Sequence, residues 1–502
     1  MTFRPMRYAI VVSAALGACE RGSTATDTPT DTDPADTAQD TDPGSGDTDL
    51  GVDTDTSQPD PDARVRFAHA ADAPAVSVWV QGSDTPLVSS LAVGQVSGWL
   101  DVVSGSYSIE LKAAGASASD AALVTLPETS VPANADLTAV AVGVSGTIDA
   151  SAALRVVTAQ GAVGGGAGVG LRIVHGVTDL DEVDITVGEL GELGDDLLPL
   201  GRFGVQAEPY IDLDADLPVS ASVLVGGERA ASFTIPGLAD GSGWLVVASG
   251  RSGLHPRAVG SLRAYAFSDD GSAVTIAPDP GLYLLHAVAG GGDVDLYDGE
   301  RLLAGDVAYR ELRRIWLPAG ISVVDAFPAG TGGERPSGDP AFTGQAVDLA
   351  AGERYLLMAN GMAGGVMRPP DVVALRDTFS LADPNGQARF VHAHVDLTAI
   401  DGGFVTNPGS STFIPPLLFT DVAFASTSAV ISNSGGPGPD MGIAPTGTNS
   451  AQLTFPFQFT NGRRSMHIVT GRLADTPSSE VWRVDTNLNP WMLTVRPVTA
   501  TQ

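Results

Sequence analysis

Val65-Arg66-Phe67-Ala68-His69-Ala70 is the stretch on which the reading of this chain turns. Val65, Phe67 and His69 fall on one face by period-two alternation, the signature of a β-strand with one buried side. The stretch recurs three times, as Leu171-Arg172-Ile173-Val174-His175-Gly176, Leu282-Tyr283-Leu284-Leu285-His286-Ala287 and Ala388-Arg389-Phe390-Val391-His392-Ala393. The histidine spacings are 175 − 69 = 106, 286 − 175 = 111 and 392 − 286 = 106. Seven or eight residues after each histidine comes a second strand-like step: Val76-Ser77-Val78, Val183-Asp184-Ile185, Val294-Asp295-Leu296 and Ile400-Asp401-Gly402. Self-similarity at this period means tandem domains, since solenoid units are far shorter.

Other parts of the unit return as well. Asp306-Val307-Ala308-Tyr309 is matched by Asp421-Val422-Ala423-Phe424, and a late apolar strand ends at Gly143, Gly250, Gly361 and Gly471. Sixty glycines and 34 prolines break the chain into short runs, and no long amphipathic helix is evident. The expected fold is therefore all-β: tandem antiparallel β-sandwich domains, Ig-like or transthyretin-like, behind a disordered acidic linker. The expected boundaries are 64–160, 170–268, 281–377 and 387–500, the last repeat being divergent. The Gly-rich joint at 161–170, Pro278-Asp279-Pro280 and Pro384-Asn385-Gly386 separate them.

The N-terminus reads as an export signal over residues 1–18. Arg4 and Arg7 precede the apolar run Tyr8–Leu16, which is too short to span a bilayer. Leu16-Gly17-Ala18-Cys19 resembles the lipobox of bacterial lipoproteins. That resemblance makes Cys19 the lipidation site and mature N-terminus, a palmitate-type membrane anchor. Glu20 in place of Asp then favours the outer membrane, facing periplasm or cell surface. Residues 19–63 form an Asp/Thr-rich tether with almost nothing to bury, expected to be disordered and extended by charge repulsion. Alternating carboxylates and hydroxyls there leave calcium open as an alternative, although the Asp-x-Asp-x-Asp-Gly loop is missing.

Composition narrows the partners. A formal net charge of −32 excludes a phosphate-binding surface for nucleic acid. The single cysteine excludes internal disulfides and thiolate zinc sites. The expected partners are the membrane, through the lipid, and an envelope protein or polysaccharide. No cofactor is expected.

The repeats also carry a resemblance. Arg64-Val65-Arg66-Phe67-Ala68-His69-Ala70-Ala71-Asp72-Ala73-Pro74 with Val76-Ser77-Val78-Trp79-Val80, supported by Leu91-Ala92-Val93-Gly94 and Ser104-Gly105-Ser106-Tyr107, is similar to the bacterial "domain of unknown function 4397" family. Ser77 departs from the Asp common at that position, repeats two and three lose the Asp-Ala-Pro turn, and repeat four is the most divergent. The resemblance implies a secreted or surface β-domain, often in tandem, and no particular activity.

No residue set announces chemistry. His69, His175, His286 and His392 are in phase with the apolar face and read as structural, hydrogen-bonded residues. His392 and His394 make a His-x-His pair, which with His467 forms a weak metal candidate. Asp184, Asp295 and Asp401 fall opposite the apolar face and are expected in solvent. Gly143-Val144-Ser145-Gly146 and Gly250-Arg251-Ser252-Gly253 lack the nucleophile elbow, and Gly164–Gly168 reads as a linker. The six tryptophans do not recur at equivalent positions and are expected to pack. The stretch Asn433–Asn449 reads either as a distinctive loop or as a disordered insertion. The resulting expectation is an envelope-anchored lipoprotein with a structural or binding role and no enzymatic activity. The alternative is an envelope enzyme or metal-binding protein centred on repeat four.

Overall fold

The computed structural model describes residues 61–161, 168–207, 210–344, 346–407, 409–436, 438–472, 479–496 and 498–500. Cys19, the export signal and the tether through residue 60 lie outside the described residues, as does most of the Gly-rich joint. The described chain is all β, and every repeat is built on two open sheets facing each other across a core, to which repeat three adds a two-stranded sheet of Gly320–Ser322 and Val347–Leu349.

In repeat one the first sheet runs Leu100–Val102, Ala63–His69, Asp136–Val142, Arg155–Gln160, and the second Val88–Leu91, Val76–Val80, Gly105–Ala113, Val124–Val131. The other repeats keep this order. Their opening strands are Val169–Val177, Gly281–His286 and Gly386–His394, and their late strands Gly243–Gly250, Arg354–Asn360 and Arg464–Gly471. Repeats two and four add a strand to the first sheet, and repeat four adds Thr499–Ala500 to the second.

The expectation of purely antiparallel sheets is corrected at one place in every repeat. Opening and late strands pair in parallel, as in Val65 with Leu137, Leu171 with Trp244, Leu282 with Tyr355 and Ala388 with Ser465. Parallel neighbours need a crossover. The second sheet is that crossover: the chain leaves the opening strand, builds the facing sheet with one excursion to the edge of the first, and returns beside its start.

Between the sheets of repeat one lie Val65, Phe67, Val76, Val78, Leu111 and Leu137. The outer faces of the first sheets are buried too. Ala68, Ala70, Val140 and Val142 of repeat one pack on Val174, Leu245, Val247 and Phe267 of repeat two. Tyr283, Leu285, Leu356 and Met358 of repeat three pack on Val391, Met466, Ile468 and Trp482 of repeat four. Tyr283 stacks on Trp491 with ring centres 4.5 Å apart. This double burial explains why the late strands read as unbroken apolar runs (Trp244-Leu245-Val246-Val247, Tyr355-Leu356-Leu357-Met358) instead of alternating. Repeats one and two thus form one back-to-back pair, repeats three and four another.

The pairs join through buried polar contacts. Asp279 accepts from the Ser232 and Thr234 hydroxyls at 2.6 and 2.7 Å. Asp377, wholly buried, meets Arg354 at 2.8 Å and His255 at 3.3 Å. Arg354 also donates to the Thr486 carbonyl, so this node ties repeats two, three and four. The stretch Asn433–Asn449 is not simply a loop: Met441–Pro445 is an inner strand of the second sheet, with Met441 and Ile443 pointing into the core.

Candidate functional site

The histidine of the opening strand recurs in all four repeats, as His69, His175, His286 and His392. Each ends or nearly ends its opening strand, and each is fully buried. In all four, Nδ1 accepts the backbone N–H two residues on: Ala71 at 3.3 Å, Val177 at 3.4 Å, Val288 at 3.2 Å and His394 at 3.2 Å. Nε2 then donates to a carbonyl in the following turn, Pro74 at 3.0 Å, Leu180 at 3.2 Å, Gly292 at 2.9 Å and Leu397 at 3.2 Å. The ring therefore clasps the turn leading to the second sheet, and its two bonds require the neutral Nε2–H tautomer. Burial lowers the pKa of all four, to about 4 for His175 and His392.

The histidine backbone holds a second turn. Its carbonyl accepts an N–H from Gly94, Phe203, Arg310 or Ala425, each with positive φ, and its own N–H donates to the carbonyl one residue further on. Phe203, Arg310 and Ala425 pay a left-handed conformation at these positions because both strand ends are fixed around them.

The metal candidates do not form one site. The ring of His394 meets the Ser479 hydroxyl at 3.0 Å. His467 lies among Phe390, Phe455 and Phe457, with Nε2 against the Ser465 hydroxyl at 3.0 Å, and burial pushes its pKa down to about 3. Among the described residues no group of three His, Cys, Asp or Glu side chains is placed to hold a metal ion. Among the described residues no helix is long and apolar enough to cross a membrane.

The expectation of solvated aspartates is corrected for two of the three. Asp295 and Asp401 are buried, whereas Asp184 is half-buried. Asp295 accepts from the Asp306 N–H at 2.7 Å and from the Thr331 N–H and hydroxyl at 2.8 and 2.6 Å. Burial pushes its carboxyl up, but the Thr331 hydroxyl and the surrounding amides outweigh this and hold it below the usual carboxylate range. Asp401 repeats the motif with the Asp421 N–H at 2.7 Å, the Thr446 hydroxyl at 2.9 Å and the Gly447 N–H at 3.1 Å. Asp306 and Asp421 have positive φ and sit where the strand register shifts. The outer-face carboxylate thus satisfies amides that a bulge removes from the ladder. In repeat one Ser77 stands there and accepts the Trp79 indole N–H at 2.8 Å.

Tryptophans serve packing: Trp99 faces Arg64 and Arg66, Trp316 faces Arg229 and Arg314, and Trp482 lies edge-on to Tyr309. The only lysine, Lys112, is buried against the Trp79 ring and Glu110.

What remains outward-facing is a set of loop tips. The late strands end at Gly143, Gly250, Gly361 and Gly471 with φ of 94°, 96°, 106° and 120°. At the first three a Cβ would lie 2.4–2.5 Å from a backbone oxygen of Ala153, Ser261 or Pro369, so only glycine fits the sharp exit. The loops that follow carry the most exposed large apolar side chains among the described residues: Ile148 (106%), Val259 (93%), and Val366 and Met367 (94% and 90%). The corresponding loop of repeat four includes residues 473–478, outside the described set.

The tips of repeats one and two share an end of their pair. The Ser249 hydroxyl donates to the Ala70 carbonyl, Arg251 faces Asp72 at 3.7 Å, and Arg202 donates to the Ser151 hydroxyl at 2.7 Å. Between repeat one and the tip of repeat two opens a cleft of about 430 Å³ lined by Asp72, Val93, Arg257, Val259, Arg263 and Tyr265. It combines one carboxylate, two guanidinium groups, a phenol and apolar walls, a mixture suited to holding a ligand. Sequence reasoning missed this end of the molecule. Its one visible signal was the glycine that closes every late strand.

Residues 63–186 and 280–402 match the family described as "Domain of unknown function (DUF4397)". Each match covers one repeat and the first two strands of the next, so it includes a strand from both members of a back-to-back pair. A search of curated proteins found no match. Among solved structures the chain is similar to "The Bacillus anthracis TIE protein", with 10% identity over 79% of this chain and 68% of that one and a TM-score of 0.13.

Proposed function

We propose that this chain, which carries two DUF4397 domains, is a non-enzymatic envelope protein, lipid-anchored at Cys19, that binds a protein or glycan through the loop ends of its paired repeats. On this reading each two-sheet unit is a β-sandwich module of Ig-like or transthyretin-like type, and the acidic segment before it is a spacer. The observation that carries the proposal is the placing of Ile148, Val259, Val366 and Met367. Exposed apolar side chains at equivalent loop tips have no role in the cores, and large exposed apolar groups mark interaction sites. The histidines and aspartates that recur are engaged with backbone amides and carbonyls, which leaves the loop ends as the surface free to vary.

The test is a glycan and envelope-protein array probed with the full chain and with a variant carrying Ile148→Ser, Val259→Ser, Val366→Ser and Met367→Ser. The proposal expects a ligand whose binding weakens at least about tenfold in the variant, since losing a buried aliphatic anchor costs on the order of 1–3 kcal/mol. Melting should not change. Equal binding by the variant, or hydrolysis of an arrayed polymer, would overturn it. For the anchor, metabolic labelling with an alkyne fatty acid should mark the chain, and Cys19→Ala should abolish the mark.

A metal-dependent protein centred on repeat four is the second reading, favoured only by the buried Nδ1 of His467, which has no hydrogen-bond partner among the described residues. Metal analysis of the purified chain against His392→Ala and His394→Ala separates the two.

A further inference from the structure

Repeat one holds an apolar cavity of about 90 Å³ between its two sheets. Val65, Phe67, Val78, Ile109 and Leu111 line its depth, and Leu126, Thr129, Val156 and Thr158 lie on the edge strands of the two sheets. Among the described residues no charged side chain lines it. The Tyr107 hydroxyl is turned away to the Val103 carbonyl at 2.5 Å. The only other polar side chains are Thr129, half-buried, and Thr158, exposed, which places the mouth between strands Val124–Val131 and Arg155–Gln160.

The edge strand at this mouth is bent. Tyr107 pairs with Thr129 but Ile109 pairs with Leu126, so one extra residue is inserted on the edge strand, and Glu128 takes a φ of 45°. Repeat two has the same strand pair without a shift at the matching place. There Ala221 pairs with Phe233 and Val219 with Ile235, and both partners are fully buried. The bulge in repeat one lifts Leu126 and Thr129 out of such closure. Bulges of this kind are concentrated at sheet edges and beside binding sites.

We infer that repeat one binds an unbranched hydrocarbon chain, inserted between its sheets through the gap beside the Glu128 bulge. A cavity without polar partners does not hold ordered water, so its occupant is apolar. A volume well below the roughly 150 Å³ that admits benzene excludes fused rings and favours a narrow chain. The polar end of the ligand stays at the mouth, beside Thr129 and Thr158. This site is separate from the loop ends of the proposed function, and either can fail without the other.

The experiment titrates the full chain with 1-butanol through 1-octanol, following methyl resonances of Val78, Ile109 and Leu126. Binding should saturate, and affinity should rise about fourfold per added methylene until the cavity is filled, then level off. The double substitution Leu126→Phe with Thr129→Ile, which supplies the residues of repeat two, should weaken binding at least about tenfold. Its melting temperature should hold or rise. Absence of saturable binding, shifts confined to methyls elsewhere, or unchanged affinity in a folded double variant would overturn the inference. If that variant does not fold, the chain-length series and the location of the shifts decide on the unmodified chain.

Discussion

In the folded chain His175 is neutral, because Nδ1 accepts the Val177 amide while Nε2 faces the Leu180 carbonyl inside the core. Its pKa of about 4 lies below the ordinary 6.5, and His392 behaves alike. Between pH 6.5 and about 4 the unfolded chain takes up protons that the folded chain refuses, so stability is full above pH 6.5 and falls as the pH drops towards 4. Each such histidine should contribute up to about 1.4 kcal/mol per pH unit across that window. Urea midpoints measured from pH 7 to 4.5 should therefore decline, and the decline should be shallower in His175→Gln. At pH 7 the same variant should lose about 2–3 kcal/mol, since a buried amide and a buried carbonyl lose their partner. The phase of these histidines was legible in the sequence, from alternation alone. The burial of Asp295 and Asp401 was not, because their partners are amides freed by bulges, and a bulge leaves no periodic mark in the chain.

The late strands explain why some sequence runs alternate and others do not. Leu245 and Val247 face repeat one, while Trp244 and Val246 face the core of repeat two. Leu245→Ala should cost about 2–5 kcal/mol, the usual range for a buried leucine truncation. Limited proteolysis should then release repeats one and two together and leave repeats three and four resistant, as the two pairs have separate shared cores. Gly250→Ala tests the strand end. With φ at 96° and a Cβ placed 2.4 Å from the Ser261 oxygen, it should lower stability by more than the roughly 1 kcal/mol of an unobstructed left-handed alanine, read as a shift in urea midpoint. Strand positions and the fourfold repetition were legible. The parallel pairing was not, because side-chain alternation carries no information on strand direction, and Met441–Pro445 was hidden by flanking glycines and prolines.

Across the whole molecule the two pairs meet at Asp377. Burial raises its carboxyl pKa, but the His255 ring and the Arg354 guanidinium outweigh that and hold it below the usual range. Asp377→Ala leaves Arg354 buried without its carboxylate and should cost about 3–5 kcal/mol. The loss should appear as faster cleavage between repeats two and three, with the cores of the pairs intact. This node joins residues 122 and 23 positions apart and was invisible in the sequence. The claim on which the rest depends is that the recurring histidines hold backbone rather than substrate or metal. Nitrogen-15 NMR of histidine-labelled full-length chain, titrated from pH 8 to 4.5, tests it most directly. The account predicts that His69, His175, His286 and His392 are neutral Nε2–H tautomers at pH 7, take up a second proton only below the ordinary 6.5, and are unmoved by added zinc. A repeat histidine that titrates near 6.5, or whose ring nitrogens shift on zinc addition, would contradict it.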